Sequence, residues 1–409
     1  KFTTKCVDRV KQYSGVITEQ SKRLGQWMQW DNSYFTNTDK NITSIWHFLK
    51  TCDNNGWIQR EYKPMPWCPR CGTSLSEHEM TGSYKTVTHN SVFFKLPVEG
   101  LDSKIIVWTT TPWTLSSNVA LAVNPEIDYV EVKVKSDEQT LILAKNAIKY
   151  LGDDKLEVLR MFKGEELVGR KFETCFPELE AQQGFEHKIV AWEDVDAEEG
   201  TGVVHIAPGC GAEDNELGKR LGLPEIMPVD DMGIFLKGFG FFSGKNSKTI
   251  ADEVFAKLDE QNKLYKVEPH EHSYPVCWRC KSEIVFRLVP AWYIKTSEIK
   301  PKLIECANSV KWEPASNGKR MNDWLTNMGD WNISRKRYYG MPLPFYPCSC
   351  GHITVIGSKD ELREKAVDPS QVDALPELHR PWVDEVKIKC PHCGKEVSRI
   401  SDIGDVWLD

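Results

Sequence analysis

Four threonines fall within six positions of one short stretch, VWTTTPWTLSSNVAL at residues 107 to 121, with no charge among them. Pro112 biases Thr111 toward extended backbone, so Thr109 and Thr111 should project to one side of a strand and Thr110 to the other. A strand end of this kind offers neutral donor and acceptor hydroxyls to sugar or water oxygens. The same residues would equally make an ordinary solvated strand end, because threonine favours strands. A second stretch, GTGVVHIAPGCGAEDNELGKRLG, sets His205 in an apolar strand and follows it with a turn that opens a helix carrying Glu213, Asp214 and Glu216. Acids at a helix start commonly serve capping and the helix dipole, and a histidine in an apolar strand is commonly a satisfied core residue. The turn nevertheless reverses the chain between His205 and Asp214, which would let both reach one pocket wall. Gly209-Cys210-Gly211 lacks the third glycine of a dinucleotide loop, so no phosphate cradle is expected there.

Eight of the 13 cysteines fall into close pairs: Cys68/Cys71, Cys277/Cys280, Cys348/Cys350 and Cys390/Cys393. With no secretory segment, these pairs read as two zinc sites in a reducing compartment rather than as disulfides, and a cytoplasmic protein is expected. Cys348-Ser-Cys350 is tighter than the common two-residue gap, which leaves His352 open as a substitute ligand. Cys6, Cys52, Cys175, Cys210 and Cys306 are expected to be small buried hydrophobes.

These groups must be positioned by a chain of 409 residues with 40% apolar content, enough for two to four domains. The net charge of −7 argues against a wholesale polyanion binder, although a local basic stripe such as Arg335-Lys336-Arg337 can still meet nucleic acid. No apolar run approaches the roughly 18 residues that a membrane span needs. The start, KFTTKCVDRV, and the end, GDVWLD, both read as cut, so an internal piece of a longer protein is expected. Residues 3 to 26 carry Cys6, Val7, Val10, Val16 and Ile17 at near-helical spacing, and 41 to 52 repeat the pattern with Ile45, Phe48 and Leu49. From 83 to 270 the texture changes to short β-branched runs, among them KTVTH, SVFFKL, KIIVWTTT and TGVVHIA. One helix, SKTIADEVFAKLDEQNKL, places Ile250, Val254, Phe255 and Leu258 on a shared face. IGDVWLD reads as a last strand. The first and second cysteine pairs can share one metal only if the chain between them leaves and returns at one place, which makes this an α/β chain with a nested β-rich domain.

WTTTPWTLSSNVALAVNP, GTGVVHIAP with GAED, CPRCGTSLS with CWRC, WNISRKRYYGMPLPF and the closing DVWLD together resemble the isoleucyl-tRNA synthetase family, class I with an editing insertion. The resemblance runs from end to end in the family's order. Valyl and leucyl relatives usually carry Arg after the first two threonines and an acid after the proline; Thr111 and Trp113 stand there instead. The family's HIGH and KMSKS signatures are not found in place. KNSKT at 245 to 249 imitates the second, but it opens a helix inside the inserted domain.

The resemblance implies an organisation: residues 1–64 and 286–346 as parts of a Rossmann-type catalytic domain, 65–82 and 271–285 as the two strands of a zinc stalk, 83–270 as the editing domain, 347–400 as a second zinc lobe, and 401–409 as a further catalytic-domain strand. It also implies roles. Thr109, Thr110 and Thr111 contact a terminal adenosine and the attacking water, and Asp214 grips the substrate ammonium as a lone anion. His205 forms the wall that excludes isoleucine, and Asn118 helps shape that pocket. Trp407 lines an isoleucine side-chain pocket, or else is a core aromatic on a strand. The partners so implied are tRNA(Ile), isoleucine and valine, and the state a monomer; zinc is held here, and ATP and magnesium by the parent enzyme. The rival readings are a valyl or leucyl synthetase fragment and a non-catalytic zinc-stabilised tRNA-binding module.

Overall fold

The structure, a computed structural model, describes residues 2–134, 139–152 and 156–408. Lys1 and Asp409, the outermost residues of the expected first and last segments, lie outside that description, as do 135–138 and 153–155 of the expected editing segment. The chain forms two compact units: Tyr62–Pro290, and the residues up to Glu61 together with those from Ala291 onward. The fold is mixed α/β, with helices and sheets interleaved along the chain.

The unit Tyr62–Pro290 is built on a six-stranded sheet whose strands begin, in spatial order, at residues 264, 84, 104, 140, 128 and 156. Lys104–Thr109 lies inside it, antiparallel to Tyr84–Pro97 and parallel to Thr140–Ala144. Ile105, Ile106 and Val107 are all buried, the signature of a strand covered on both faces. A three-stranded sheet places Ala120–Val123 between Val204–Ile206 and Lys188–Ala191, with His205 opposite Leu121. Phe93, Phe94, Tyr129, Phe176 and Phe242 fill the core, and the helix Ala251–Glu260 buries Val254, Phe255 and Leu258 with Ile250 just ahead of it, the face the sequence spacing marks out.

KTVTH and SVFFKL are not two strands. They form one, Tyr84–Pro97, because neither glycine nor proline interrupts them. Its first half is polar and largely exposed, its second half buried, and it pairs with Leu264–Pro275 along both halves.

In the other unit, Thr38 caps the helix Asp39–Asn54, which buries Ile42, Ile45, Trp46 and Leu49 against Ile333, Phe345 and Tyr346, while Phe48 is exposed. The strand pairs Ser334–Arg335 with Ile403–Gly404, Phe345–Pro347 with Ile353–Val355, and Ile388–Lys389 with Glu396–Val397 are short and antiparallel. The helix Phe2–Arg23 stops just before Gly25, which has a positive φ, but its Val10, Val16 and Ile17 are exposed. IGDVWLD is a strand only at Ile403–Gly404. Asp405, buried and paired with Arg335, accepts from the backbone N–H of Trp407 and turns the chain into a single 3-10 turn, Val406–Leu408. Cys6 and Cys306 are exposed rather than buried, because their helices leave that face uncovered; Cys52 and Cys175 are buried.

One close approach fixes the turn between His205 and Asp214. A Cβ on Gly209 would lie 1.9 Å from the backbone oxygen of Ile226, a collision with main chain that no rotamer can relieve. Gly209→Ala is therefore expected to destabilise the unit by about 3 kcal/mol or more, read as a shifted denaturant midpoint.

Candidate active site

The strand Lys104–Thr109 leaves its sheet at Thr110, and Pro112 opens a buried 3-10 turn, Pro112–Ser117, with Thr111 at its head. The i to i+3 bond of such a turn brings Thr114 back under Thr111: the Thr114 N–H donates to the Thr111 carbonyl at 3.0 Å, and its hydroxyl donates to the same oxygen at 2.8 Å. The hydroxyls of Thr109 and Thr111 lie 3.2 Å apart, and those of Thr111 and Thr114 likewise 3.2 Å. Thr109, Thr110 and Thr111 all face one cavity of about 410 Å³, together with Thr114, His205 and Asp214. The hydroxyl of Thr110 has no protein partner among the described residues.

His205 is buried, and burial pulls its pKa down to about 4, so the imidazole is neutral at ordinary pH. Its Nε2 lies 2.9 Å from the Thr114 hydroxyl. The two tautomers divide the roles differently: Nε2 donates to the hydroxyl, or the hydroxyl turns from the Thr111 carbonyl and donates to Nε2. Nδ1 lies 3.5 Å from the side-chain Nδ2 of Asn118. Asn118 does not line the cavity; it sits buried beneath it, bonded to the Ala120 carbonyl, and orients the imidazole from behind.

Asp214 stands in the first turn of the helix Ala212–Leu221 and accepts from the Ala207 N–H at 2.8 Å. Burial pushes its carboxyl up to about 6; the Ala207 N–H opposes that shift and nearby Glu213 adds to it. A Cβ on Gly211 would crowd the Asp214 carboxylate at 3.1 to 3.3 Å. Asp214 is not the lone anion. Asp194, Asp196 and Glu199, from the acidic loop after Trp192, also line the cavity, but all three are exposed, with Asp194 held by the Trp192 indole N–H at 3.0 Å. Sequence reasoning assigned no role to Thr114 or to this loop. The i to i+3 spacing from Thr111 was the available signal for Thr114; the loop had none beyond its charge.

Across residues 1–409 the sequence matches the family described as tRNA synthetases class I (I, L, M and V). The chain belongs to this family. The isoleucine–tRNA ligase of Clostridium tetani is 39% identical over 412 residues, and that of Pyrococcus furiosus 40% identical over 443; each alignment takes in 100% of this chain, but 39% and 41% of those proteins. The chain thus spans about two fifths of the length of the curated relatives it matches. Among solved structures, the editing domain of the P. knowlesi cytosolic leucyl-tRNA synthetase aligns with 45% of this chain and 98% of its own at a TM-score of 0.35 and 13% identity.

This class I synthetase chain also carries two sets of four cysteines. In each set, Cys68, Cys71, Cys277 and Cys280, and Cys348, Cys350, Cys390 and Cys393, the sulfurs lie within 4.8 Å of one another. Sγ to Sγ distances of 3.5 Å (Cys68 to Cys280) and 3.4 and 3.8 Å (Cys348 to Cys393, Cys350 to Cys390) approach the roughly 3.8 Å edge of a zinc-tetrathiolate tetrahedron. All four pairs are followed at once by a left-handed residue: Gly72, Lys281, Gly351 and Gly394. His352 is not among the grouped ligands; its backbone oxygen accepts from Cys348 N–H instead. Trp407 belongs to the other unit from the cavity and is 73% exposed.

Two outcomes are expected. Affinity for an amine-bearing ligand that needs the Asp214 anion should rise with pH through about 6, and Asp214→Asn should flatten that rise in calorimetric titrations. The stability linkage has the opposite sign: a carboxyl whose folded pKa is raised favours the fold at low pH, and that contribution fades as pH climbs through about 6. Metal analysis of the purified chain should return about two zinc ions per chain, and chelation should lower the thermal midpoint; a content well under one would remove the zinc assignment.

Proposed function

We propose that the cavity at Thr109, His205 and Asp214 hydrolyses the ester joining an undersized amino acid to the 3′ ribose of tRNA, with valine on tRNA(Ile) as the substrate. The observation that carries this reading is the pairing in one cavity of uncharged hydroxyls with a partly buried carboxylate. The hydroxyl run from Thr109 to Thr114 holds ribose oxygens and the attacking water without fixing charge beside the ester. Asp214 takes the free ammonium of the aminoacyl group, a charge-assisted bond. His205, neutral and with both nitrogens engaged, is unsuited to act as a general base and serves as a wall. A binding pocket separates side chains differing by one methylene by only about 1–3 kcal/mol, a range drawn from this very family, and a second site that excludes the larger one supplies the rest.

For the whole protein we assign isoleucine activation with ATP and magnesium and its transfer to tRNA(Ile). The Rossmann-type catalytic domain then includes the unit around Asp39–Asn54, Trp407 belongs to the isoleucine pocket, and zinc holds both cysteine sets; the protein acts as a cytoplasmic monomer. The similarity to isoleucine–tRNA ligases over the full chain supports the isoleucyl rather than the valyl or leucyl reading.

Incubation of the chain with Val-tRNA(Ile) is expected to release valine. Asp214→Ala should slow release by about a hundredfold, the loss of one charge-assisted contact, and His205→Ala should admit isoleucine and release it too. Unchanged release in Asp214→Ala would remove that residue from the mechanism. Faster release of threonine than of valine would favour the valyl reading, and tRNA binding without cleavage in every variant would favour the non-catalytic one.

A further inference from the structure

Three of the chain's ten histidines lie on one face of the ribbon formed by Tyr84–Pro97 and Leu264–Pro275. His89 stands directly opposite His270, and His272 follows two positions along the same strand, where side chains return to the same face. Burial repeats that period: His89, His270 and His272 are half-buried, whereas Thr88, Glu271 and Ser273 beside them are exposed.

His89 Nδ1 and His272 Nε2 approach to 3.0 Å, with the rings edge to face at 82°. A divalent metal with nitrogen ligands at about 2.0–2.1 Å spans a cis pair at roughly 2.9 Å in square or octahedral geometry and about 3.3 Å in a tetrahedron. The observed spacing falls between those two. A proton shared by the two imidazoles gives a similar spacing, so ion and proton compete for one place. On the other side of the same ring, His89 Nε2 lies 3.4 Å from the Glu283 carboxylate. A histidine that gives one nitrogen to a metal commonly donates the N–H of the other to a carboxylate, which fixes its tautomer and raises its basicity. Glu283 stands at the nitrogen that the metal would leave free. The Lys248 ammonium nearby bonds the Glu283 backbone oxygen at 2.7 Å. His270 turns its ring edge-on to Trp108, with centroids 5.1 Å apart, and among the described residues no third His, Cys, Asp or Glu completes a group of three with the pair. Water would fill the remaining positions.

We propose that His89 and His272 bind one divalent late first-row transition metal, of the nickel, copper and zinc class, in place of the shared proton, with Glu283 orienting His89 from behind. Imidazole suits these ions, whereas magnesium and calcium take oxygen donors. The ion ties together two strands whose ligands stand 183 positions apart. Val92, three residues beyond His89, pairs with Thr109, and Cys277 follows His272 by five residues, so the clamp sits on the ribbon between the threonine cavity and the first cysteine set. With only two protein ligands the site exchanges its metal readily, and desalting strips it without touching a four-cysteine set.

The test titrates the zinc-saturated, desalted chain with nickel(II) and, separately, with magnesium, followed by calorimetry and by the paramagnetic broadening that nickel causes in amide NMR signals. One equivalent of nickel is expected to bind, with broadening centred on His89 and His272, and magnesium is expected not to bind. His89→Gln and His272→Gln should each weaken nickel binding by roughly a hundredfold, Glu283→Gln by about tenfold, and His270→Gln should leave it in place. The thermal midpoint of each variant without nickel reports whether it folds, and if one histidine variant does not, the other decides. Absence of nickel binding, binding that persists in either folded histidine variant, or broadening confined to the cysteine sets overturns the proposal. Unweakened binding in Glu283→Gln removes the carboxylate from the site.

Discussion

The Thr114 hydroxyl ties the site together, 2.8 Å from the carbonyl of Thr111 three residues back and 2.9 Å from Nε2 of His205. The arrangement of the site follows from that bridge. With Asn118 at 3.5 Å from Nδ1, it holds the imidazole in one orientation. Burial keeps it uncharged. Under the proposed hydrolytic reading, a cationic histidine in this cavity would compete with an incoming amine for Asp214, whereas a neutral one would contribute shape.

The same turn explains why the threonines cooperate. Strand geometry sends Thr109 and Thr111 to one side, where their hydroxyls meet, and the 3-10 turn adds Thr114 to the run. Thr110, on the other phase, has a hydroxyl with no protein partner among the described residues and still lines the cavity.

Much of this was legible in local chemistry. The threonine run, the acid opening a helix after a glycine turn and the paired cysteines are signals of residue type and spacing, and they survive without knowledge of the fold. What was not legible is long-range. Thr114 meets His205 across 91 positions, and nothing local links them. The ribbon Tyr84–Pro97 looked like two strands because its polarity changes midway, although the backbone does not. The break in IGDVWLD depends on Asp405 finding Arg335, 70 positions away. The exposed faces of the helices that carry Cys6 and Cys306 are likewise set by what packs against them, which apolar spacing alone does not report.

With a metal bound, the cysteine sets would do in bonding terms what the core does by burial. Cys68 and Cys280 are 212 positions apart, and closing a loop of that length opposes folding by on the order of 5 kcal/mol, which a shared metal would offset. The contact of Gly209 with the Ile226 carbonyl acts on a much smaller scale. It holds the acid-bearing helix at a set distance from the histidine strand with no room for adjustment. The walls of this cavity can be recast by substitution, but the spacing between the histidine strand and the carboxylate is built into the main chain and will not yield to side-chain engineering.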